Sequence, residues 1–330
     1  MTRLSATTTL AQPLLRWAPD RARPGRVADA VSRLERTTAL DGAIGVLRKG
    51  VRAVPLGGLR DLLHGRWLGH PVHPLLVQVP MGAWMSSAVL DWTPGGRRSA
   101  GVLVALGVAG AAPAAAAGLV DWAELEDEQA RVGLAHALLN VVATSCYTVS
   151  LASRLTGHRG RKQAAAGLVA LAVSGALGGH LAYHQAAGAN HSEATARITP
   201  PGWQDVGPLA GFPAGRPVRR LVGETAVLVV RDADGTLSAL ADRCSHLGGP
   251  LSEGEITDGC VRCPWHGSTF RLSDGWNVTG PATAPQPCFE TRVRDDRVWV
   301  RLAAASPAEE AAPSDEEAAS SAEGAGPSGG

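Results

Sequence analysis

From residue 75 to residue 187 the chain alternates long apolar runs with short charged loops. Four runs stand out, at residues 75–90, 99–120, 132–155 and 164–187. Read as helices, the last three are each long enough to cross a hydrocarbon core of about 30 Å. The first is shorter and carries Gln78 and Pro80. Small side chains crowd residues 111–118 and 164–179, which lets helices in lipid approach closely. Trp67, Trp92 and Trp122 fall at run ends, the depth that indole rings favour. A soluble helical bundle rarely needs four long uncharged runs, so the pattern predicts a four-helix transmembrane bundle over residues 67–187.

The rest of the chain is polar on average. Residues 202–303 show short apolar stretches between turn dipeptides, with strands expected at 218–222, 226–231, 237–241, 260–262, 269–272, 289–293 and 298–302. Asp234-Gly235, Asp258-Gly259 and Asp274-Gly275 supply turns. The expected architecture is therefore multidomain, an α-helical membrane bundle followed by an all-β domain. Residues 1–66 form a basic N-terminal segment whose apolar run at 10–15 is too short for a signal peptide. Val27, Val31 and Leu34 mark one face of an amphipathic docking helix at 27–40. Residues 188–201 read as a polar linker reaching no more than about 50 Å, and 304–330 as a disordered acidic tail.

A net charge of +1 gives no argument for nucleic acid as a partner. The chemistry concentrates at residues 244–266, where Cys244 and His246 stand one residue apart and Cys263 and His266 two apart. Two thiolates and two imidazoles on tight turns suit a 2Fe–2S centre with two Cys on one iron and two His on the other. A structural zinc site is the competing reading, but Cys₂His₂ zinc sites pair Cys with Cys and His with His, whereas each pair here is mixed. The remaining Cys146, Cys260 and Cys288 suggest no disulfide framework.

With Leu247-Gly248-Gly249-Pro250 after the first pair and Gly267-Ser268 after the second, the stretch closely resembles a Rieske iron–sulfur motif. The resemblance implies Cys244 and Cys263 on a buried iron and His246 and His266 on the outer one. It also implies backbone amides directed at sulfur through Gly248, Gly249 and Gly267, and a covering loop at Gly280-Pro281-Ala282. Rieske proteins of cytochrome bc complexes add a disulfided Cys in each ligand loop, where this chain has Gly249 or its neighbour and Trp265. They also place a Tyr where Phe270 stands, while Ser268 is kept. The pattern is thus similar to ferredoxin-type Rieske domains. A Rieske oxygenase catalytic subunit is not expected, because no second His pair follows His266.

Leu63-His64-Gly65, then Gly69-His70-Pro71-Val72-His73-Pro74, and later Gly118-Leu119-Val120-Asp121-Trp122 and Gly178-Gly179-His180, resemble a bacterial four-helix membrane-domain family of uncharacterised function with a His-Pro-x-His-Pro signature. With four spans, His70, His73, His136, His180 and His184 gather at one membrane face. Ionisable residues at membrane depth raise a functional question, here haem b ligation or a quinone site. The preferred reading is structural, with His70 and His73 stiffening an interfacial turn and the others at headgroup depth.

The sequence therefore predicts a multi-pass cell-membrane protein that moves single electrons between redox partner proteins, a reductase or oxidase component. It reads as an electron-transfer protein or oxidoreductase component more than as a stand-alone enzyme. A quinol- or haem-linked oxidoreductase subunit and a redox sensor are the alternatives. The Rieske-like domain is expected in the cytoplasm.

Overall fold

The computed structural model describes residues 25–303; the expected tail at 304–330 and the apolar run at 10–15 lie outside them. The chain divides into two units. The first contains the residues up to Asn190 together with Thr279–Ala284, and the second His191–Val278 together with the residues from Pro285 on.

In the first unit, α1 (Arg26–Glu35) and α2 (Asp41–Ala53) form from the basic segment, and α3 (Gly58–His64) follows. Two pieces, α4 (His73–Leu76) and α5 (Gln78–Leu90), lead to the long helices α6 (Arg97–Trp122), α7 (Asp127–Leu155) and α8 (Arg161–Gly179). A π-helical turn at His180–His184 extends α8. Among the described residues three helices, Arg97–Trp122, Asp127–Leu155 and Arg161–His184, are long and apolar enough to cross a membrane. The amphipathic helix expected at 27–40 ends at Glu35, and a short 3-10 turn covers Thr38–Leu40.

Small residues set the packing of this unit. The Trp84 and Tyr147 rings stack with centroids 4.2 Å apart. A Cβ on Gly107 would meet Trp84 Nε1 at 2.2 Å, and one on Gly167 would meet the Tyr147 ring at 2.8 Å. Each glycine thus lets a helix backbone lie against an aromatic face. Outward valines and leucines such as Val102, Val141 and Val169 are more than half exposed, an apolar surface suited to lipid chains. At one end, Arg154 donates to both carboxylate oxygens of Asp91, at 2.9 and 2.5 Å. At the other, Arg131 donates to both oxygens of Asp41, whose carboxyl is held below its usual pKa by those bonds. Nearby, Glu126 and Gln129 form a capping box at the start of α7.

The second unit is built on an antiparallel six-stranded sheet in the order β1-β10-β9-β4-β3-β2 and a four-stranded sheet β5-β6-β7-β8. The strands are β1 (Gln204–Pro208), β2 (Pro217–Val222), β3 (Thr225–Arg231), β4 (Leu237–Ala241), β5 (Glu255–Thr257), β6 (Cys260–Arg262), β7 (Thr269–Arg271), β8 (Asn277–Thr279), β9 (Cys288–Arg294) and β10 (Arg297–Leu302). Val227, Val229, Ala239, Ala241, Phe289, Val298 and Val300 share one core with Phe212. The two Cys/His stretches leave this frame in different ways. One follows β4, the innermost strand beside β9, and the other is the tip of the β6–β7 hairpin.

Candidate metal centre

The two Cys/His loops close with the same backbone pattern. In the first, Cys244 N–H donates to Gly249 O (2.9 Å) and Gly248 N–H donates to Cys244 O (2.9 Å). In the second, Cys263 N–H donates to Ser268 O (2.8 Å) and Gly267 N–H donates to Cys263 O (3.1 Å). The turning residues Gly248 and Gly267 have φ of +79° and +74°, a region costly for residues with a Cβ. Each turn thereby aims two peptide N–H groups at its own sulfur, those of His246 and Leu247 at Cys244 and those of Trp265 and His266 at Cys263.

The cysteines are buried, at 1 % and 3 % exposure, and their thiols hydrogen-bond each other. That bond draws the Cys263 thiol down to about 6, against a desolvation that opposes ionisation and with help from its two backbone donors. The same bond, with burial, pushes Cys244 up. The shared bond places a proton between the two sulfurs. Binding of a metal group displaces that proton. The imidazoles of His246 and His266 are half-buried, their ring centroids 5.0 Å apart and their planes at 80°.

The nuclearity can be tested on these positions. A single ion with bonds of about 2.0–2.3 Å holds its ligand atoms within about 4.6 Å of one another. Cys244, His246, Cys263 and His266 do not bring three ligand atoms within 4.8 Å of one another; among the described residues only Glu35, His180 and His184 do so. Two sulfurs that hydrogen-bond each other and two imidazoles packed ring to ring fit a two-iron cluster with a different ligand pair on each iron.

Two supports escaped the sequence reading. Gln286, 2 % exposed, accepts from Ser245 N–H (3.1 Å) and donates to Ala241 O (2.7 Å) and Arg243 O (2.5 Å), pinning the first loop to the segment before β9. Asp242, equally buried, accepts from Ser252 N–H (2.6 Å) and from Arg219 Nε (3.1 Å). The Pro285-Gln286-Pro287 context was the one visible hint of a fixed polar side chain. A Cβ on Gly249 would stand 2.9 Å from the Trp265 ring and 3.0 Å from Cys263 Sγ. The two positions singled out for a bc-type disulfide thus face each other, filled here by an indole against a glycine. Phe270 is fully buried in β7 opposite Val261 and offers no hydroxyl.

Residues 202–290 match the family profile described as Rieske [2Fe-2S] domain. The ferredoxin subunit of anthranilate 1,2-dioxygenase from Burkholderia cepacia is 34 % identical over 100 residues, which are 30 % of this chain and 92 % of that protein. The chain belongs to the Rieske [2Fe-2S] family. The ferredoxin subunit of 3-phenylpropionate/cinnamic acid dioxygenase from Escherichia coli (strain K12) is 32 % identical over 101 residues, 30 % of this chain and 93 % of that protein. Apoptosis-inducing factor 3 of Homo sapiens is 37 % identical over 82 residues, 25 % of this chain and only 13 % of its own length. Residues 69–191 match a profile described as Predicted membrane protein (DUF2231). The protein is therefore a membrane-anchored Rieske iron–sulfur electron-transfer protein, similar over this domain to the ferredoxin subunits of dioxygenases.

The five histidines of the membrane unit fall into separate settings. His70 is exposed, with Nδ1 2.9 Å from Pro71 O. His73 and His136 lie edge to face with centroids 6.2 Å apart, and their Nδ1 atoms bond Ala114 O and Ser174 O, each at 2.8 Å. Asn140 Nδ2 lies 3.0 Å from His136 Nε2, so both ring nitrogens of His136 are engaged. Nothing in this arrangement calls for haem or quinone. His180 and His184 stack on each other at 4.5 Å beside Glu35. His64, which sequence reasoning left among the motif residues, is buried with Nδ1 2.9 Å from Asp121 Oδ1.

Proposed function

We propose that Cys244, His246, Cys263 and His266 ligate the cluster and that this unit is a tethered ferredoxin, passing single electrons from a reductase to an oxygenase-type acceptor. The observation that carries the reading is the pairing of buried thiols and half-buried imidazoles on matched turns. When bound, the cluster supplies a one-electron couple of higher potential than an all-thiolate 2Fe–2S centre. The chain does the rest. Backbone N–H groups at both sulfurs favour the more negative, reduced state, and Phe270 withholds one further donor. The imidazole edges give a partner protein its contact, because they are less buried than the sulfurs. The names of the dioxygenase ferredoxin subunits support an oxygenase-type partner.

The membrane unit holds this carrier near the bilayer, on the proposed scheme of residues 1–66, 67–187, 188–201, 202–303 and 304–330. We place a fourth crossing at α4 and α5. Together residues 73–90 rise about 27 Å, enough for a thin or locally thinned span. The His-Pro-x-His-Pro stretch at 70–74 opens that crossing.

The test is paramagnetic and optical spectroscopy of the detergent-purified full chain. Cys244→Ala and Cys263→Ala are expected to abolish the Rieske signal, and His246→Cys or His266→Cys to shift or abolish it. Cys146→Ser is expected to leave it unchanged. Zinc in place of iron, in protein made with ample iron and cluster-assembly capacity, refutes the reading.

A further inference from the structure

A second group of metal-type ligands lies within the membrane unit. Glu35 ends α1, and His180 and His184 begin and end the π-helical turn that follows α8. Their ligand atoms lie within 4.8 Å of one another, with His180 Nε2 2.8 Å from Glu35 Oε1. Ligands on one ion at 2.0–2.2 Å stand no more than about 4.4 Å apart, so an ion needs shifts of only a few tenths of an ångström.

We propose that Glu35, His180 and His184 form a second metal site, for a divalent first-row transition ion of which Zn²⁺ is the probe. An ion pair between Glu35 and His180 alone would leave three features without a purpose. The first is His184, whose ring stacks on His180 at 4.5 Å and places a third ligand atom at the same point. Two neutral imidazoles and one carboxylate are a common donor set for such ions, and they leave coordination positions open.

The second is the wide turn itself. Gln185 N–H donates to His180 O at 3.0 Å, the five-residue spacing of a π-helix, and such turns recur at functional sites. The third is the support of the carboxylate. Gln185 Nε2 donates to Glu35 Oε1 at 3.0 Å, while Gln185 O accepts from Gln129 Nε2 at 2.9 Å. Outer hydrogen bonds of this kind orient metal-binding carboxylates.

The surroundings suit a hydrated cation. Glu35 and His184 line a cavity of about 680 Å³ that Glu126, Asp127 and Glu128 also line. Arg131 borders it too, but its guanidinium is committed to Asp41 and Glu35 O. Water completes the coordination from this side, and Glu126 and Glu128 raise the local cation concentration, Asp127 being paired with Arg48.

The experiment is elemental analysis and competitive Zn²⁺ titration of the full chain in detergent, loaded with its iron–sulfur cluster. About one Zn²⁺ per chain is expected. His184→Gln, at an exposed position where folding is not at stake, should lose stoichiometric binding, as should Glu35→Gln. Gln185→Ala should weaken binding by about 10–100-fold. The Rieske paramagnetic signal should stay unchanged throughout. Equal binding by wild type and His184→Gln overturns the proposal, as does a wild type that takes up no Zn²⁺. Uptake that erases the Rieske signal locates the ion in the cysteine loops and also overturns it.

Discussion

Gln286 offers the sharpest test of how the first ligand loop is held. Gln286→Leu keeps the volume roughly constant and removes all three side-chain hydrogen bonds, to Ser245, Ala241 and Arg243. A typical bond contributes about 1 kcal/mol net, but a buried group stripped of its partner costs about 1–3 kcal/mol. With Gln286 only 2 % exposed, water cannot readily replace it. The expected loss is roughly 3–5 kcal/mol. For a unit of about 100 residues each kcal/mol lowers the unfolding temperature by about 4–8 °C. Thermal bleaching of the cluster absorbance in the purified full chain should therefore occur at least about 12 °C lower in the variant. Gln286→Glu, which keeps the acceptor for Ser245 N–H but turns a second oxygen on the Ala241 and Arg243 carbonyls, should lower the bleaching temperature at least as far. Bleaching of Gln286→Leu within about 2 °C of wild type would show that the cluster alone fixes the loop.

The remaining predictions concern other parts of the chain. Phe270→Tyr should raise the midpoint potential from the lower part of the Rieske range, about −150 to +300 mV, by adding a hydroxyl donor where its ring can reach sulfur; redox titration reads it, and a wild-type value near the top of the range contradicts the argument. Asp91→Ala strands Arg154, whose side chain is only 5 % exposed, and should cost about 3–5 kcal/mol in detergent unfolding, with Asp91→Ala/Arg154→Leu recovering much of it. Asp205 is held below its usual pKa first by the Arg297 hydrogen bond and then by Gly207 N–H. A lowered carboxylate stabilises fully above its unfolded value and loses this as pH falls through the folded one. The difference in melting temperature between wild type and Arg297→Gln should therefore be present at pH 6 and close below about pH 4.

The extent to which sequence anticipated these features varies with how local each signal is. β4 and β6 were legible to the residue, and β2, β3, β7, β9 and β10 to within one residue at either end, because apolar stretches met turn dipeptides. β1, β5 and β8 were not anticipated. β1 carries Gly207 and Pro208, which interrupt a strand pattern, and β5 and β8 each offer a single apolar residue, Ile256 and Val278, between polar neighbours. The Asp295-Asp296 turn, with φ of +52° and +56°, lacks the glycine that announces such turns. The Cys/His spacing identified the cluster at once, since both loops are continuous in sequence. Gln286 reaches the first loop from 41 positions away, and no local pattern reports such a contact. The membrane histidines show the same limit. Helix order suggested one gathering of five, whereas side-chain packing pairs His73 with His136 and joins His180 and His184 to Glu35, a residue 145 positions away.

The side of the membrane on which the Rieske unit works is the last prediction, and the membrane unit's own charges sharpen it. Arg97, Arg98, Arg154, Arg159, Arg161 and Lys162 lie at the end where α6 and α8 begin, which would make that end cytoplasmic. Its bias is smaller than the count suggests. Arg154 is paired with Asp91, and Arg97 donates to Gly157 O and His158 O. At the opposite end, the acidic stretch at 121–128 is met by basic residues of α2, with Arg48 on Asp127 and Arg52 on Glu124. Arg60 and Arg66 add to that end. The two ends thus carry comparable Lys and Arg, and the charge rule does not choose between them. We propose the cytoplasmic side on thiol chemistry. Cys260 and Cys288 remain free thiols, and Gly249 with Trp265 occupies the place of a bc-type disulfide. A domain that leaves such positions unbridged suits a reducing compartment. A green fluorescent protein fused after Leu302 should therefore fluoresce, and alkaline phosphatase at the same point should be inactive. The reverse result places the Rieske unit outside and removes the thiol argument.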